Sequence, residues 1–388
     1  MKLAVFETHP VQYRAPVYRE LELLLSKKKG SSLHVYYATD VNTKGFFDEG
    51  FKKLFAWDED LLQGYDATVL NTAKGKALSG FNSLTGKGIW KLLRKEKPDA
   101  VMITTHAHRY EWSVIFSAIM LGIPIWIRTE TQDHAFRRSR LKSVFRALFY
   151  RSFYKRVQKA FAIGKLSKEH LLTHGIPLSA ISFSRYCVVD RFGAIDDGEK
   201  ERLRSNLRKD LGITADKTLL MFCGKLQDKK NPKVILDALA MLKAEEKEKY
   251  AVLYVGSGDL EGALRVAGLS VGAPVCFAGF KNQLEIAPYY LAADVLILPS
   301  RQMGETWGLV VNEALLAERR VVISQFVGCS AEFKDLPSVK VFDGTTIGLA
   351  GVLRCLPAPE SVKGQRQFMK SYSVVSAAEG IFAEMVES

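Results

Sequence analysis

The feature that most constrains the fold of this chain is a regular alternation of short apolar runs with segments of helical periodicity. In the first half, runs such as KLAVFE and DAVMITT are each followed by a segment in which apolar residues recur at helical steps. Strands that alternate with helices in this way form parallel sheets with right-handed crossovers. The sequence therefore predicts an α/β fold built on parallel sheets.

The alternation occurs in two series. The first contains KLAVFE, SLHVYYA, DAVMITT, PIWIRTE and KAFAIG, and the second contains TLLMFCG, YAVLYVG, VCFAG, DVLILPS, RVVISQF and VKVFD. The acidic, turn-rich segment DRFGAIDDGEKER separates them. A chain of 388 residues is also long for a single hydrophobic core. We therefore predict two consecutive doubly wound, Rossmann-like domains, residues 1–187 and 188–370.

The charge of the chain indicates an anionic partner. The formal net charge is +13, which suits nucleic acid, nucleotide phosphates or an acidic membrane surface. Residues 137–159 contain nine lysines and arginines and no acidic residue, and Leu141, Phe145, Leu148 and Phe149 recur among them at helical spacing. Such a basic, amphipathic helix can lie on an anionic bilayer. The alternative is an ordinary domain helix whose apolar stripe is core and whose basic face is solvated.

No run of about 18 apolar residues is present, so no membrane-spanning helix is expected. The opening MKLAVFETHPV reaches Glu7 and His9 before a signal-peptide core could form, which favours the cytoplasm. The membrane contact considered above would place the protein on the inner face of the plasma membrane. The five cysteines are widely spaced and form no CxxC pair, so we expect reduced, structural thiols and no metal site.

Ligands of open parallel sheets bind beside the carboxyl ends of the strands, so the loops there carry the functional information. The loop GKLQDKKNP places Lys225 directly after one predicted strand and Lys230 just before the next helix. Two ammonium groups at such a junction suit a diphosphate, although a pair of solvated surface lysines would have the same pattern.

The segment ETWGLVVNE carries two carboxylates, Glu305 and Glu313, eight positions apart. Its glycines allow close approach of a ligand, and the free amides at the start of the following helix favour an anion. Glu305 then faces the group attached to that anion, while Glu313 can accept hydrogen bonds from a neighbouring diol. The predicted nucleotide contacts are Thr306, Trp307, Gly308, Leu309, Val310 and Glu313, with Gly224 and Phe280.

Together, GKLQDKKNP, VCFAGFKNQLEIAPYYLAADVLILPS, ETWGLVVNEAL and VGCSAEF resemble the C-terminal domain of retaining glycosyltransferases of family 4, the group 1 glycosyltransferases, which have the GT-B fold. The resemblance covers most of residues 215–345. It implies that Lys225 and Lys230 neutralise the donor diphosphate, that Glu305 contacts the donor sugar, and that Glu313 contacts the ribose. The family more often has arginine at the position of Lys225, and lysine keeps the charge but loses the bidentate geometry.

The resemblance also implies two domains facing each other across a cleft, with a C-terminal helix, residues 371–388, that packs back on the first domain. In the first domain it points to a histidine beside the donor sugar. The strand DAVMITT is followed by His106 and His108. His106 has the better spacing for the catalytic position. His108 is the second candidate for that position and is otherwise expected to contact the acceptor. The loop after the first strand lacks the adjacent glycines of the family, so we expect Gln12, Tyr13 and Arg14 to line the acceptor site, with Arg14 a candidate for an anionic group.

The implied function is a hexosyltransferase-type, retaining glycosyltransferase that needs no metal or other cofactor. A UDP-sugar is the favoured donor and a GDP-sugar the second choice. The acceptor would be a glycan or a lipid-linked glycan in cell-surface polysaccharide or glycolipid synthesis. The alternative is a GT-B or Rossmann-like protein that is not a transferase, either an epimerase or a basic nucleic-acid-binding protein. Nucleic acid is not the expected partner.

Overall fold

The structure, a computed structural model, describes residues 1–28, 30–41, 43, 45–73, 78 and 80–387. The strands of its first domain are β1 (Lys2–Glu7), β2 (Ser32–Tyr37), β3 (Phe46–Asp48), β4 (Lys53–Phe55), β5 (Ala67–Val69), β6 (Ala100–Ile103), β7 (Ile125–Thr129), β8 (Val157–Ala162) and β9 (Ile181–Phe183). Within these described ranges, seven of the strands form one parallel sheet in the order β5-β2-β1-β6-β7-β8-β9. The remaining two, β3 and β4, form a separate antiparallel hairpin.

The second domain has its own parallel sheet. Its strands are β10 (Thr218–Cys223), β11 (Tyr250–Val255), β12 (Val275–Gly279), β13 (Val295–Leu298), β14 (Arg320–Ser324) and β15 (Val339–Phe342). They pair in the order β12-β11-β10-β13-β14-β15. Their side chains are mostly buried on both faces, as expected for a parallel sheet covered by helices.

Helices cover both sheets. Those of the first domain are α1 (Ala15–Ser26), α2 (Ile89–Glu96), α3 (Arg109–Leu121), α4 (Arg140–Tyr154) and α5 (Lys165–Thr173). Those that follow are α6 (Asp197–Asp210), α7 (Lys233–Ala240), α8 (Ala244–Lys247), α9 (Glu261–Gly268), α10 (Ala287–Ala292), α11 (Val310–Leu316), α12 (Ser330–Phe333), α13 (Thr346–Arg354), α14 (Gln365–Met369) and α15 (Val374–Glu387). The predicted pair of doubly wound α/β domains is confirmed.

The last helix, α15, packs on the first domain. It lies against α1 and β9, and its buried residues Ala377, Ala378, Ile381 and Met385 join the core around β1 and β2. The Ser184 hydroxyl donates to the carbonyl of Ala377, which fixes the helix to the chain just beyond β9. The C-terminal segment therefore crosses from the second domain back to the first. The five cysteines are free thiols.

The basic helix is shorter than predicted. We expected a helix over residues 137–159, but α4 begins at Arg140, after Ser139, and ends at Tyr154. Ser139 takes the extended conformation of an N-cap residue, and its hydroxyl accepts from the amide of Lys142. At the other end, Val157 already pairs with Ile125 in the sheet. The pairing of β8 therefore overrides the helical pattern of the last residues.

Candidate active site

The candidate site lies between the two sheets, where the loops that follow β10 to β13 meet loops of the first domain. Lys225 follows β10, Lys230 ends a single 3₁₀ turn before α7, Glu305 follows β13, and Glu313 lies on α11. All four therefore come from the carboxyl ends of one parallel sheet, which is the expected position for a ligand site.

Lys230 and Glu305 form an ion pair in the loop region of the cleft. The Lys230 ammonium contacts Oε2 of Glu305, and the Ser300 hydroxyl donates to the same oxygen over 3.0 Å. The side chains are only 17% and 13% exposed, so the pair is largely withdrawn from water. A diphosphate would have to share or replace Glu305 as the partner of Lys230.

Lys225 is paired with the first domain. Its ammonium lies 2.8 Å from a carboxylate oxygen of Asp48, at the end of β3, and 5.0 Å from the centre of the Phe51 ring. Hydrogen bonds from Lys225 and from the amides of Phe51 and Gly50 outweigh burial and lower the pKa of Asp48. A Cβ at Gly50 would lie 2.5 Å from Cδ of Lys225, so any larger residue there would displace the Lys225 side chain from this position.

The rest of the β3–β4 hairpin and the segment after it also contact the second domain. The Ser257 hydroxyl donates to the carbonyl of Phe51, and the Asn282 amide donates to that of Ala56. The Asp58 carboxylate accepts from the amide of Leu284. Segment 48–58 is thus fastened to the loops that follow β11 and β12, directly over the predicted donor site.

A cavity of about 140 Å³ lies next to Lys225. Its lining includes predicted nucleotide contacts and one predicted acceptor residue: Gly224, Phe280, Leu309, Val310, Glu313 and Gln12. Two unpredicted aromatic residues of the first domain, Phe51 and Trp57, also line the cavity. The Phe51 and Phe280 rings meet edge to face at 4.8 Å, which gives the cavity an apolar side suited to a flat ring.

Glu313 supplies the carboxylate of this cavity. The Tyr290 hydroxyl donates to its Oε2, and burial raises the pKa of the carboxyl. The amides of Leu309 and Val310, in the first turn of α11, have no acceptor four residues earlier within the helix. The backbone of Gly308, at φ +98°, brings these groups to the cavity wall in a conformation that favours glycine. Carboxylate and amides together match a sugar hydroxyl pair beside an anion.

Thr306 and Trp307 lie in the contact between the domains. The Thr306 carbonyl accepts from the Gln132 amide over 2.8 Å, and its hydroxyl donates to Glu130 over 3.2 Å. The Trp307 ring is buried and donates through Nε1 to Asn312 over 2.8 Å. The Trp307 ring is therefore part of the core, and the predicted anion contact, which uses the backbone amides of Thr306 to Val310, stays a prediction.

The two predicted histidines face elements of the first domain. His106 Nε2 is 3.1 Å from the Tyr150 hydroxyl, and its ring packs among Phe149, Tyr150 and Phe153 of α4. Burial lowers its pKa. His108 precedes α3 and pairs with Glu111, a hydrogen bond that raises the pKa of the histidine. These contacts are all with residues of the first domain, and the predicted role of His106 or His108 beside the donor sugar stays a prediction.

Arg14 lies in a buried ion pair within the first domain. Its guanidinium donates to Glu7 over 2.6 Å and to Thr104 over 2.8 Å, and all three residues are buried. The Tyr13 ring packs edge to face on Tyr186. Glu7 thus already neutralises the charge of Arg14, and the contact of Arg14 with an anionic acceptor group stays a prediction.

Asp48, Phe51 and Trp57 are the site residues that sequence reasoning missed. The segment FFDEGFKKLF does carry a hairpin signal, since Asp48 accepts from the amides of Gly50 and Phe51 in an Asx-type turn. The pattern identifies a turn, but only the packing of the two domains places that turn on Lys225.

Removing the charge of Asp48 tests whether the hairpin competes with a ligand for Lys225. We expect Asp48→Asn to bind UDP about two- to fivefold more tightly than the wild type, because Asp48 no longer competes with the ligand for Lys225. The expected factor corresponds to the small free energy of a partly exposed ion pair. Titration calorimetry measures the change. Glu49→Gln is the matched control, since Glu49 pairs with Lys52 instead. Weaker binding by Asp48→Asn would show that the contact supports the ligand site.

Known proteins resemble this chain in part of its sequence and in its fold. Residues 204–337 match the family model "Glycosyl transferases group 1". An uncharacterized glycosyltransferase of Methanocaldococcus jannaschii is 31% identical over 125 residues, 32% of this chain and 31% of that protein. D-inositol 3-phosphate glycosyltransferase 2 of Catenulispora acidiphila is 33% identical over 138 residues, 33% of this chain and 32% of that protein. The chain thus matches about a third of the length of these relatives.

The whole chain resembles solved structures in fold. The crystal structure of Anabaena HepE in complex with UDP superposes with a TM-score of 0.70 at 14% identity, and the match covers 100% of both chains. This likeness includes the first domain, which the family model does not reach. The chain has the GT-B fold, and the segment that matches the group 1 glycosyl transferase model, residues 204–337, contains Lys225, Lys230, Glu305 and Glu313.

Proposed function

We propose that the protein transfers a hexose from a nucleotide-sugar, with retention at the anomeric carbon and without a metal ion. The observation that carries the proposal is the convergence of Lys225, Lys230, Glu305 and Glu313 at one cleft edge. Two ammonium groups suit the diphosphate, Glu313 suits the ribose, and the cavity of Phe280 suits the base. UDP is the favoured nucleotide and GDP the second choice, a preference that the UDP bound to Anabaena HepE supports.

In this proposal, the main catalytic contribution is electrostatic. Negative charge develops on the nucleoside diphosphate as it leaves the sugar, and Lys225 and Lys230 stabilise that charge in a site already ordered around them. Glu305 binds hydroxyls of the donor sugar and holds Lys230 in place. The contacts of Glu130 and Gln132 with Thr306 keep residues 299–309, the loop after β13 that we call the sugar loop, against the first domain, which excludes water from the reaction.

The test is an assay of sugar transfer and of nucleotide release with UDP- and GDP-sugars, with and without chelator. The proposal predicts release of one nucleotide diphosphate that is insensitive to chelator, and nuclear magnetic resonance of the product should show the donor's anomeric configuration. A product with the inverted configuration would contradict retention. An isomerised nucleotide-sugar, with no transfer, would instead support an epimerase.

We further propose that the acceptor is a glycan or lipid-linked glycan used in cell-surface polysaccharide or glycolipid synthesis, and that the protein works in the cytoplasm at an anionic membrane. Helix α4 supports the membrane part. Its side chains Leu141, Val144, Phe145 and Leu148 are exposed, between 56% and 67%, whereas Tyr150, Phe153 and Tyr154 are buried. The helix therefore has a core face and a second, uncovered apolar face.

The uncovered face extends beyond α4. Trp112 of α3 packs on Phe149, and Phe116 and Met120 continue the exposed apolar surface along α3. Exposed basic residues, among them Arg140, Lys142 and Arg151, accompany the stripe on α4. Apolar surface with basic neighbours favours adsorption to anionic lipid. Among the residues described, no helix combines the length and apolarity needed to cross a bilayer.

Vesicle binding tests this surface. We expect the wild type to sediment with vesicles containing phosphatidylglycerol, and Leu141→Ser/Phe145→Ser to stay largely in the supernatant, because about 2 kcal/mol or more of apolar burial per side chain is lost. Ile347→Ser is the control, since Ile347 is 73% exposed on the second domain. If the double variant sediments like the wild type, α4 does not contact the membrane.

A further inference from the structure

A second cavity, of about 450 Å³, lies beneath the start of α4. Its walls come from the loop after β7, the first turns of α4, the end of α5 and Gln302 of the second domain. It shares no lining residue with the cavity that contains Glu313. We call it the arginine cavity, because Arg137, Arg138 and Arg146 line it.

Positive charge dominates the arginine cavity. Its lining has three guanidinium groups and one carboxylate, that of Asp133. Three side chains already contact the Asp133 carboxylate. Its Oδ2 lies 2.9 Å from Nδ1 of His170 and 3.2 Å from Nε2 of His174, and its Oδ1 lies 3.3 Å from Nη2 of Arg146. Burial and the neighbouring Arg146 lower the pKa of Arg138. The cations are thus crowded and lack an equal number of counter-charges, which favours an added anion.

Two buried polar atoms of residues that line the cavity lack a hydrogen-bond partner among the residues described. His174 is 6% exposed, lines the cavity, and directs Nε2 to Asp133. Among the residues described, its Nδ1 makes no hydrogen bond, and the same is true of Nη1 of Arg146. Buried polar atoms are almost always paired, so these two mark polar groups in the wall of the cavity that the described residues leave unsatisfied.

The arginine cavity adjoins the sugar loop. The side-chain amide of Gln302 donates to the backbone carbonyl of His134 over 2.9 Å, and the backbone amide of Gly304 donates to the backbone carbonyl of Ala135 over 2.8 Å. The next residue along the chain is Glu305. A group bound among the arginines would therefore belong to a molecule that can also reach the sugar-binding loop.

We propose that the arginine cavity binds a phosphate or diphosphate group carried by the sugar acceptor, an inference that rests on the proposed transferase function. Guanidinium groups suit this group because they donate paired hydrogen bonds to phosphate oxygens. The exposed stripe of Leu141 and Phe145 begins on the same turns of α4 and would receive an apolar chain attached to that phosphate. Donor diphosphate and acceptor phosphate would then occupy different cavities on either side of the sugar loop.

A metal ion is the rival occupant. Asp133, His170 and His174 each place one ligand atom within 4.8 Å of the other two, a spacing that suits a single metal ion. However, Arg146 contacts the same carboxylate, and Arg137 and Arg138 line the same space. A divalent cation would meet these charges at short range, so the cavity favours an anion.

The experiment compares inorganic pyrophosphate binding by two double variants of equal charge. Arg137→Gln/Arg138→Gln removes two cations of the cavity, and Arg140→Gln/Arg151→Gln removes two exposed cations of the same helix region. We expect the apparent Kd for pyrophosphate, measured by calorimetry on protein saturated with UDP, to rise about tenfold or more in the first variant only. Equal Kd values in the two variants would overturn the proposal.

Binding of UDP to each variant separates this inference from the proposed function. If UDP binds no form of the protein, the transferase proposal fails, while the difference between the variants still decides whether the cavity takes an anion. A thermal stabilisation by Zn²⁺ that His174→Gln removes, with no response to pyrophosphate, would assign the site to a metal and overturn the inference.

Two sources of phosphate remain to be distinguished once binding is established. Phosphatidylcholine vesicles carrying farnesyl diphosphate supply a membrane-bound diphosphate, and free pyrophosphate supplies a soluble one. Recruitment to these vesicles that depends on Arg137 and Arg138 would support the cavity and identify a lipid-linked acceptor. Pyrophosphate binding without recruitment would support the cavity and identify a soluble phosphorylated acceptor.

Discussion

Replacing Lys230 with methionine is expected to lower kcat/KM for sugar transfer by about 10²- to 10³-fold, the usual cost of removing one group that stabilises a developing charge. Lys230 is the better test of the two lysines, because it contacts Glu305 while Lys225 contacts Asp48 of the first domain. Steady-state kinetics with the preferred nucleotide-sugar measures the loss. Most of it should appear in kcat, since the charge on the leaving diphosphate is greatest in the transition state.

Stability must be separated from catalysis in this variant. Lys230→Met leaves Glu305 without its cation, although that side chain is only 13% exposed. The double variant Lys230→Met/Glu305→Gln removes both charges and should recover much of the unfolding free energy, because no unpaired buried charge remains. Its activity should stay low. Recovery of activity together with stability would show that Lys230 only neutralises Glu305.

Replacing Arg14 with methionine is expected to destabilise the first domain by about 3–5 kcal/mol, because it leaves the carboxylate of Glu7 buried without its partner. Glu7 is 1% exposed, and it also accepts from the hydroxyls of Thr104 and Tyr18. These neutral donors cannot replace the guanidinium charge. Urea unfolding, followed by tryptophan fluorescence and circular dichroism, measures the free-energy change.

The double variant Glu7→Gln/Arg14→Met is the control for this effect. It keeps hydrogen-bonding capacity at position 7 and removes the buried charge, so it should lose clearly less stability than Arg14→Met alone. If Arg14→Met instead keeps wild-type stability and selectively raises the KM for the acceptor, the sequence-based assignment of Arg14 to an anionic acceptor is right.

The second domain was the more predictable part of the fold. Most of its six strands are nearly continuous apolar runs, and the loops GKLQDKKNP and ETWGLVVNE occur where two of them end. Because parallel strands bring these loops to one edge, the grouping of Lys225, Lys230, Glu305 and Glu313 follows from topology. The short strands β3, β4, β5 and β9 escaped prediction, since three residues carry too little periodicity.

Side-chain direction was the less predictable part. Trp307 lies beside a glycine of positive φ in a loop, and only packing against Tyr186 and Asn312 turns its ring into the core. His106 follows a strand as predicted, but its ring packs against the aromatic side chains of α4. The contact between Asp48 and Lys225 joins residues that are 177 positions apart in the sequence. A local sequence pattern does not predict a contact between such distant residues.

The central claim is that the cleft holds a nucleotide-sugar through Glu313 and the two lysines. The most direct test is calorimetric titration with UDP, GDP and ADP, in the presence of chelator, on the wild type and on Glu313→Ala. The claim predicts that one uridine or guanosine diphosphate binds without a metal ion and that Glu313→Ala weakens it about tenfold or more, as loss of a hydrogen bond from a charged group requires. Absence of binding by any nucleotide, or equal binding by the variant, would contradict it.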